Sequence, residues 1–79
     1  MNRKEKSPNL RALLAAHTQE LRLERGLTQE QLAEMSGLHR TYVSHIEREL
    51  ANITLDNLQM LAEALKVPGT RLIEARPKK

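Results

Sequence analysis

Thr28-Gln29-Glu30-Gln31-Leu32-Ala33-Glu34-Met35-Ser36-Gly37-Leu38-His39-Arg40-Thr41-Tyr42-Val43-Ser44-His45-Ile46-Glu47-Arg48 divides into two short helices around a single glycine. Thr28 and Gln31 have capping-box spacing, in which each side chain satisfies the other's orphan N–H, and Leu27 stands before them as a hydrophobic staple. The inward positions of this helix read as Leu32, Ala33 and Met35, with Ala33 small enough for a neighbouring helix to cross closely. Ser36-Gly37-Leu38 turns the chain, because Gly37 takes positive φ without penalty. A second helix then spans roughly His39 to Arg48. Its buried series is Leu38, Tyr42 or Val43, Ile46 and Leu50, and its other side carries Arg40, Thr41, Ser44, His45 and Arg48. Those residue types can hydrogen-bond to base edges.

Outward from this pair, the chain remains helical. Residues 1–6 show no periodicity and read as a disordered basic segment, and a folded unit is expected over 7–75. Ser7 as N-cap and Pro8 at the first helical position predict the start of a helix. Leu10, Leu13, Leu14 and Leu21 recur at three- and four-residue spacing up to Arg25, where Gly26 closes it. Thr18 interrupts that stripe, and its hydroxyl is expected to bond the carbonyl one turn earlier. After the loop Ala51-Asn52-Ile53, Thr54 caps a helix running to about Lys66, with Asp56 placed favourably against its dipole. Leu55, Leu58, Leu61, Ala62 and Leu65 form its stripe. Val67-Pro68-Gly69-Thr70 breaks it, and Leu72 and Ile73 anchor a short fifth helix before a basic tail at 76–79. The expected fold is all-α, five helices and no strand.

Composition sets limits on function. With 79 residues the chain makes one domain, too small to enclose a sizeable active-site cavity. It has no Cys, no Trp, no Phe and one Tyr, so Leu, Ile, Val, Ala and Met must build the core and thiolate metal sites are excluded. No run approaches the roughly 20 apolar residues of a membrane span. A cytoplasmic protein is expected. The net charge of +3 is unevenly placed: residues 1–8 carry +2 and residues 76–79 carry +3, which leaves seven Lys/Arg against nine Asp/Glu in segment 9–75. Since the body is slightly acidic, a high pI does not argue for a basic binding face.

Leu21-Arg22, Gly26-Leu27-Thr28-Gln29, Leu32-Ala33, Gly37, Tyr42-Val43-Ser44, Ile46-Glu47-Arg48 and the run Leu58 to Val67 together resemble the lambda-repressor/Cro type of helix-turn-helix domain, the xenobiotic-response-element-like family. The resemblance covers about residues 10–74. Within that family, Arg40-Thr41-Tyr42-Val43-Ser44 with Asn52 and Thr54 is most similar to the controller proteins of restriction-modification systems. The family usually has Gly at the position of Glu49, Pro at Ile53 and an aliphatic residue at Thr18, and the controllers often have a basic residue at Ala51.

The resemblance implies a transcriptional regulator whose recognition helix, residues 39–48, enters the major groove of double-stranded DNA at a pseudo-palindromic operator, as in control of a restriction-modification operon. Arg40, in the first turn of that helix, is expected to read guanine, the commonest specific contact. Thr41 and Ser44 contact bases or phosphates. His45 reads a base edge if neutral and favours phosphate if charged, and the sequence leaves both open. Gln29, Tyr42, Arg48 and Asn52 are the expected backbone contacts. Arg22 and Glu47 are expected, from the same resemblance, to form a partly buried ion pair between the first and third helices.

A homodimer is expected, with an interface at Met60, Leu65, Val67, Leu72 and Ile73, since one helix in one groove reads only a few base pairs. His39 and His45 lie six residues apart, about 240° around a helix, and diverge. No metal, cofactor, small-molecule ligand or catalytic site is expected, and the chain reads as a binding protein and no enzyme. The alternative is an antitoxin-like or adaptor helical module whose main partner is protein. Such a face would carry aromatic or aliphatic anchors, and the exposed side of the recognition helix carries polar residues.

Overall fold

Asn9 begins the first helix: its side-chain oxygen accepts the Ala12 N–H at 3.2 Å, so α1 runs Leu10–Glu24 in the computed structural model. The structure describes residues 9–76, and Ser7 and Pro8, together with the segments 1–8 and 77–79, lie outside the described residues. The cap expected at Ser7 falls on those residues, and the cap that is described is Asn9. α2 (Gln29–Ser36), α3 (Arg40–Glu47) and α4 (Leu55–Leu65) follow, then a 3-10 turn, Gly69–Leu72, in place of a fifth α-helix. Among the described residues there is no strand, and no helix is long and apolar enough to cross a membrane.

Short-range chemistry sets the helix ends. At α2 both halves of the capping box are made, Gln31 N–H to Thr28 Oγ1 at 3.0 Å and Thr28 N–H to Gln31 Oε1 at 2.8 Å. Thr54 Oγ1 accepts the Asn57 N–H at 3.0 Å and starts α4. α1, α3 and α4 all end in the same way, with a residue of positive φ that, together with the residue after it, returns two N–H groups to carbonyls of the last turn. After α1 that residue is Gly26, φ 66°; after α3 it is Glu49, φ 65°; after α4 it is Lys66, φ 63°. The closing bonds Leu27 N–H to Arg22 O, Leu50 N–H to His45 O and Val67 N–H to Ala62 O measure 3.0, 2.8 and 3.0 Å. A side chain in this left-handed region costs about 1–2 kcal/mol, so glycine would be the less strained residue at the position of Glu49.

α3 packs on α1 and α2, α4 packs on α2, and the 3-10 turn closes against α4 and α1. Leu32, Val43, Ile46, Leu61, Leu65 and Leu72 are all less than 2% exposed at the centre. Burying each contributes roughly 1.5–3 kcal/mol. Four residues expected inside are outside. Leu10 is 56% exposed, Met35 52%, Leu50 58% and Leu55 82%. Ser36 takes the inward place beside Ala33, its hydroxyl donating to Ala33 O at 3.2 Å and accepting the Leu38 N–H at 3.3 Å, so that the turn into α3 is braced from within. Leu50 and Leu55 lie at the edges of the α3–α4 connection, past the reach of the helical stripe.

Two of the expected interface residues, Leu65 and Leu72, are fully buried within the single chain and belong to its core. Thr18 is also fully buried, and its hydroxyl has no hydrogen-bond partner, so the expected bond to a carbonyl is not made.

His17 is 4% exposed on α1 and ties it to the C-terminal turn. Arg71 Nη1 lies 3.1 Å from His17 Nδ1, and since a guanidinium only donates, Nδ1 is the acceptor. The ring hydrogen therefore sits on Nε2 and donates to Glu74 O at 2.9 Å. Nearby, Arg76 bonds Glu20 at 2.6 Å and holds the Glu20 carboxyl below its ordinary pKa, so the first residue of the expected basic tail is docked on α1.

Two substitutions follow from the strain and the orphaned hydroxyl. Thr18→Val, which removes an unsatisfied buried group at nearly constant shape, should raise stability by about 1 kcal/mol in urea unfolding. Glu49→Gly should raise it by about 1 kcal/mol, by relieving positive φ. A loss in either case would contradict the packing or the backbone described above.

Candidate nucleic-acid interface

His39 caps α3 and is not its first residue: His39 Nδ1 accepts the Thr41 N–H at 3.1 Å. Val43 and Ile46 point into the core, so the rest of the short helix is left facing outward. Arg40, Thr41 and Arg48 are exposed, and Ser44 and His45 are half-buried. Positions 40 and 44, and 41 and 45, are one turn apart and form a polar strip on one side. Arg48 is the C-cap of α3.

The strip is aimed from behind by Glu47. Its carboxylate receives Arg22 Nε at 2.7 Å and Arg22 Nη2 at 2.9 Å, a two-pronged pair in which both side chains are nearly enclosed. Arg22 Nη1 also donates to Leu27 O at 2.8 Å. The hydrogen bond to Glu47 raises the Arg22 pKa above its ordinary value, against the opposing effect of burial. Gln29, the first residue of α2, donates Nε2 to Glu47 Oε1 at 3.0 Å. One side-chain N–H of this expected phosphate contact is thus committed inward. Four pieces of the chain converge here: α1, the α1–α2 connection, α2 and α3.

At the other end of the surface, Tyr42 packs against the core and its hydroxyl donates to Asn52 O at 3.2 Å while accepting Asn57 Nδ2 at 3.3 Å. The hydroxyl of this expected backbone contact holds the α3–α4 connection. Asn52, another expected backbone contact, has its side-chain oxygen bonded by Arg11 Nη2, and Arg11 Nε donates to Ala51 O at 3.1 Å. Arg11 and Asn57 were not singled out in the sequence. The available signal was Arg11 itself, a cation in the first turn of α1, where the helix dipole disfavours it.

Of the remaining expected interface residues, Met60, Val67 and Ile73 are half-buried. The Met60 methyl lies over the α2–α3 turn, 3.4 Å from where a Cβ on Gly37 would stand. Val67 and Ile73 instead border two adjoining shallow apolar grooves that share Leu55, Leu58 and Ile73 and extend to Leu10 and Ile53. The three histidines are dispersed, and among the described residues no group of His, Asp and Glu is arranged to hold a metal ion.

A family model for helix-turn-helix domains, HTH_3, matches residues 19–72, which include Arg22, Leu27, Gln29 and Glu47. The chain belongs to the HTH_3 family. This HTH_3 regulator is 43% identical over 65 residues to control protein C.SmaI of Serratia marcescens, covering 82% of this chain and 77% of that protein. The crystal structure of the hypothetical transcription factor NHTF from Neisseria superposes with a TM-score of 0.82 at 40% identity, covering 92% of this chain and 84% of that one. C.Esp1396I, a restriction-modification controller protein solved on a 19 base pair DNA duplex, superposes with a TM-score of 0.75 at 38% identity, covering 84% and 88%. The chain is thus a transcription regulator homologous to restriction-modification controller proteins.

The Glu47 cluster has a measurable signature. Arg22→Met strands a buried carboxylate and should destabilise the domain by about 3–5 kcal/mol, whereas Arg22→Met combined with Glu47→Leu should recover most of that loss. Urea unfolding of the three proteins distinguishes the outcomes, and equal losses in single and double variants would mean that the pair contributes net stability of its own.

Proposed function

We propose that this HTH_3 regulator acts as a homodimer on a pseudo-palindromic operator in the cytoplasm, as a controller of a restriction-modification operon, and that it carries out no chemistry of its own. The reading is carried by one observation: α3 buries Val43 and Ile46, is held from behind through Glu47, and leaves Arg40, Thr41, Ser44 and His45 on its outward side. Arg40 reads guanine through its paired N–H groups, and Thr41, Ser44 and His45 complete the contact to base edges. Because segment 9–75 is net acidic, affinity depends on individual contacts more than on a broad positive field. Gln29, bonded to Glu47, and Arg48, the C-cap of α3, meet the flanking phosphates. For Gln29 this uses the N–H that Glu47 leaves over. Tyr42 and Asn52 act at the backbone through the loop they brace.

For the dimer we propose a surface shifted from the one expected. Leu65 and Leu72 are core, and Met60 covers the α2–α3 turn. Val67 and Ile73 are joined instead by Leu55, Ile53 and Leu10 along the two grooves. Among the described residues Leu55 is left 82% exposed, and a second copy would cover it.

Selection of bound sites from random-sequence DNA should recover a motif with two-fold symmetry and half-sites about one helical turn, ~34 Å, apart. Arg40→Ala should lower affinity for that motif by about 1–3 kcal/mol and relax the preference at one position per half-site. Recovery of no motif would overturn the reading, and wild-type behaviour of the variant would move base readout off Arg40. Separately, Leu55→Glu should leave the monomer folded and shift sedimentation equilibrium from dimer to monomer. A dimer of unchanged strength would place the interface elsewhere.

A further inference from the structure

The connection that follows α3, residues 48–54, has two ionised side chains of its own, Arg48 and Glu49, both exposed and of opposite sign. By itself such a loop offers a phosphate no net charge. The fold brings a cation to it from 40 residues away in the chain: Arg11 donates Nε to Ala51 O at 3.1 Å and Nη2 to the side-chain oxygen of Asn52. The Asn52 carbonyl is in turn the acceptor of the Tyr42 hydroxyl, so Arg11 is part of one bonded network with the first half of α3.

Two features mark Arg11 as more than a strap. It occupies the first turn of α1, where the aligned peptide dipoles disfavour positive charge and no acidic residue compensates it. A neutral donor could bond the same two oxygens without that penalty. Its charge is also unmatched: among the described residues Arg11 makes no ion pair, and its third nitrogen, Nη1, makes no hydrogen bond, although the side chain is exposed. A guanidinium is a rigid planar fork. With the Nε and Nη2 edge held on the loop, Nη1 is presented in a fixed direction with two N–H groups to give.

We propose that Arg11 is a DNA-binding residue, which donates Nη1 to a backbone phosphate beside the groove that α3 enters while its other edge sets the position of Asn52. This rests on the reading of α3 as the recognition helix. It gives the loop a net positive charge, supplied from α1, that Arg48 and Glu49 together do not provide, and it makes register on the duplex depend on the α1–loop contact.

The probe is a duplex recovered by the wild-type protein from random-sequence DNA, titrated at several salt concentrations against wild type, Arg11→Lys and Arg11→Gln. A phosphate contact contributes about 0.9 to the slope of log affinity against log salt. Arg11→Gln should therefore flatten the slope by about 0.9 per bound protomer and weaken selected and unrelated duplexes by similar factors. Arg11→Lys, which keeps the charge, should retain the wild-type slope. A wild-type slope in Arg11→Gln, with or without weaker binding, overturns the proposal and leaves Arg11 a structural strap. As a measurement independent of any variant, the bound duplex should shield wild-type Arg11 from modification by phenylglyoxal, and an unchanged modification rate also overturns it. If the wild type recovers no duplex at all, the reading of α3 falls and the role of Arg11 falls with it.

Discussion

The enclosed contact between Arg22 and Glu47 is the constraint on which the aim of α3 depends. α3 has only eight residues, too few to be stable or oriented on its own. Val43 and Ile46 fix which side faces inward, but two apolar side chains still allow a short helix to slide or swivel. The Glu47 carboxylate, held by two Arg22 nitrogens and one from Gln29, removes that freedom because each bond requires a particular direction. A pair of this kind is weak evidence for net stability, since desolvation offsets most of the attraction. Its value here is geometric.

The same economy appears in the loops. Tyr42, Asn52, Asn57 and Arg11 make one network around the connection from α3 to α4, and His17 with Arg71 and Glu74 makes another between α1 and the C-terminal turn. A core of about a dozen small and medium aliphatic residues, with one aromatic among them at its edge, has limited capacity to hold irregular segments. Directional bonds to backbone carbonyls supply what apolar packing does not. Glu49 and Lys66 fit the same pattern in reverse, as side chains tolerated at positive φ because the two returning hydrogen bonds at each helix end over-determine the turn.

Affinity in this molecule is built from placed contacts. The described body carries more acidic than basic residues, so long-range attraction to a polyanion is modest, and three of its exposed cations, Arg40, Arg48 and Arg11, have particular positions to serve. The apolar surface is likewise localised. Leu10, Ile53, Leu55, Val67 and Ile73 border the two grooves, neither of which is lined by a residue of α3.

The sequence alone determined the features whose partners lie within a turn or two of each other. The capping box of Thr28 and Gln31, the cap at Thr54, the positive φ of Gly37, the order of the four helices and the polar strip of α3 all depend on residues three or four apart, and spacing reports them directly. The Arg22–Glu47 pair, 25 residues apart, was legible only through family resemblance. Tertiary structure decided the rest. A period of three and four could not tell that Ser36 and not Met35 turns inward, that Leu50 and Leu55 fall outside the core, or that Leu65 and Leu72 are used up within one chain. Nor could it bring His17 to Glu74, 57 residues on, or Arg11 to Asn52, 41 residues on. Those contacts arise where helix axes cross, and the crossing angle is a property of how all four helices share one core, which no single helix encodes.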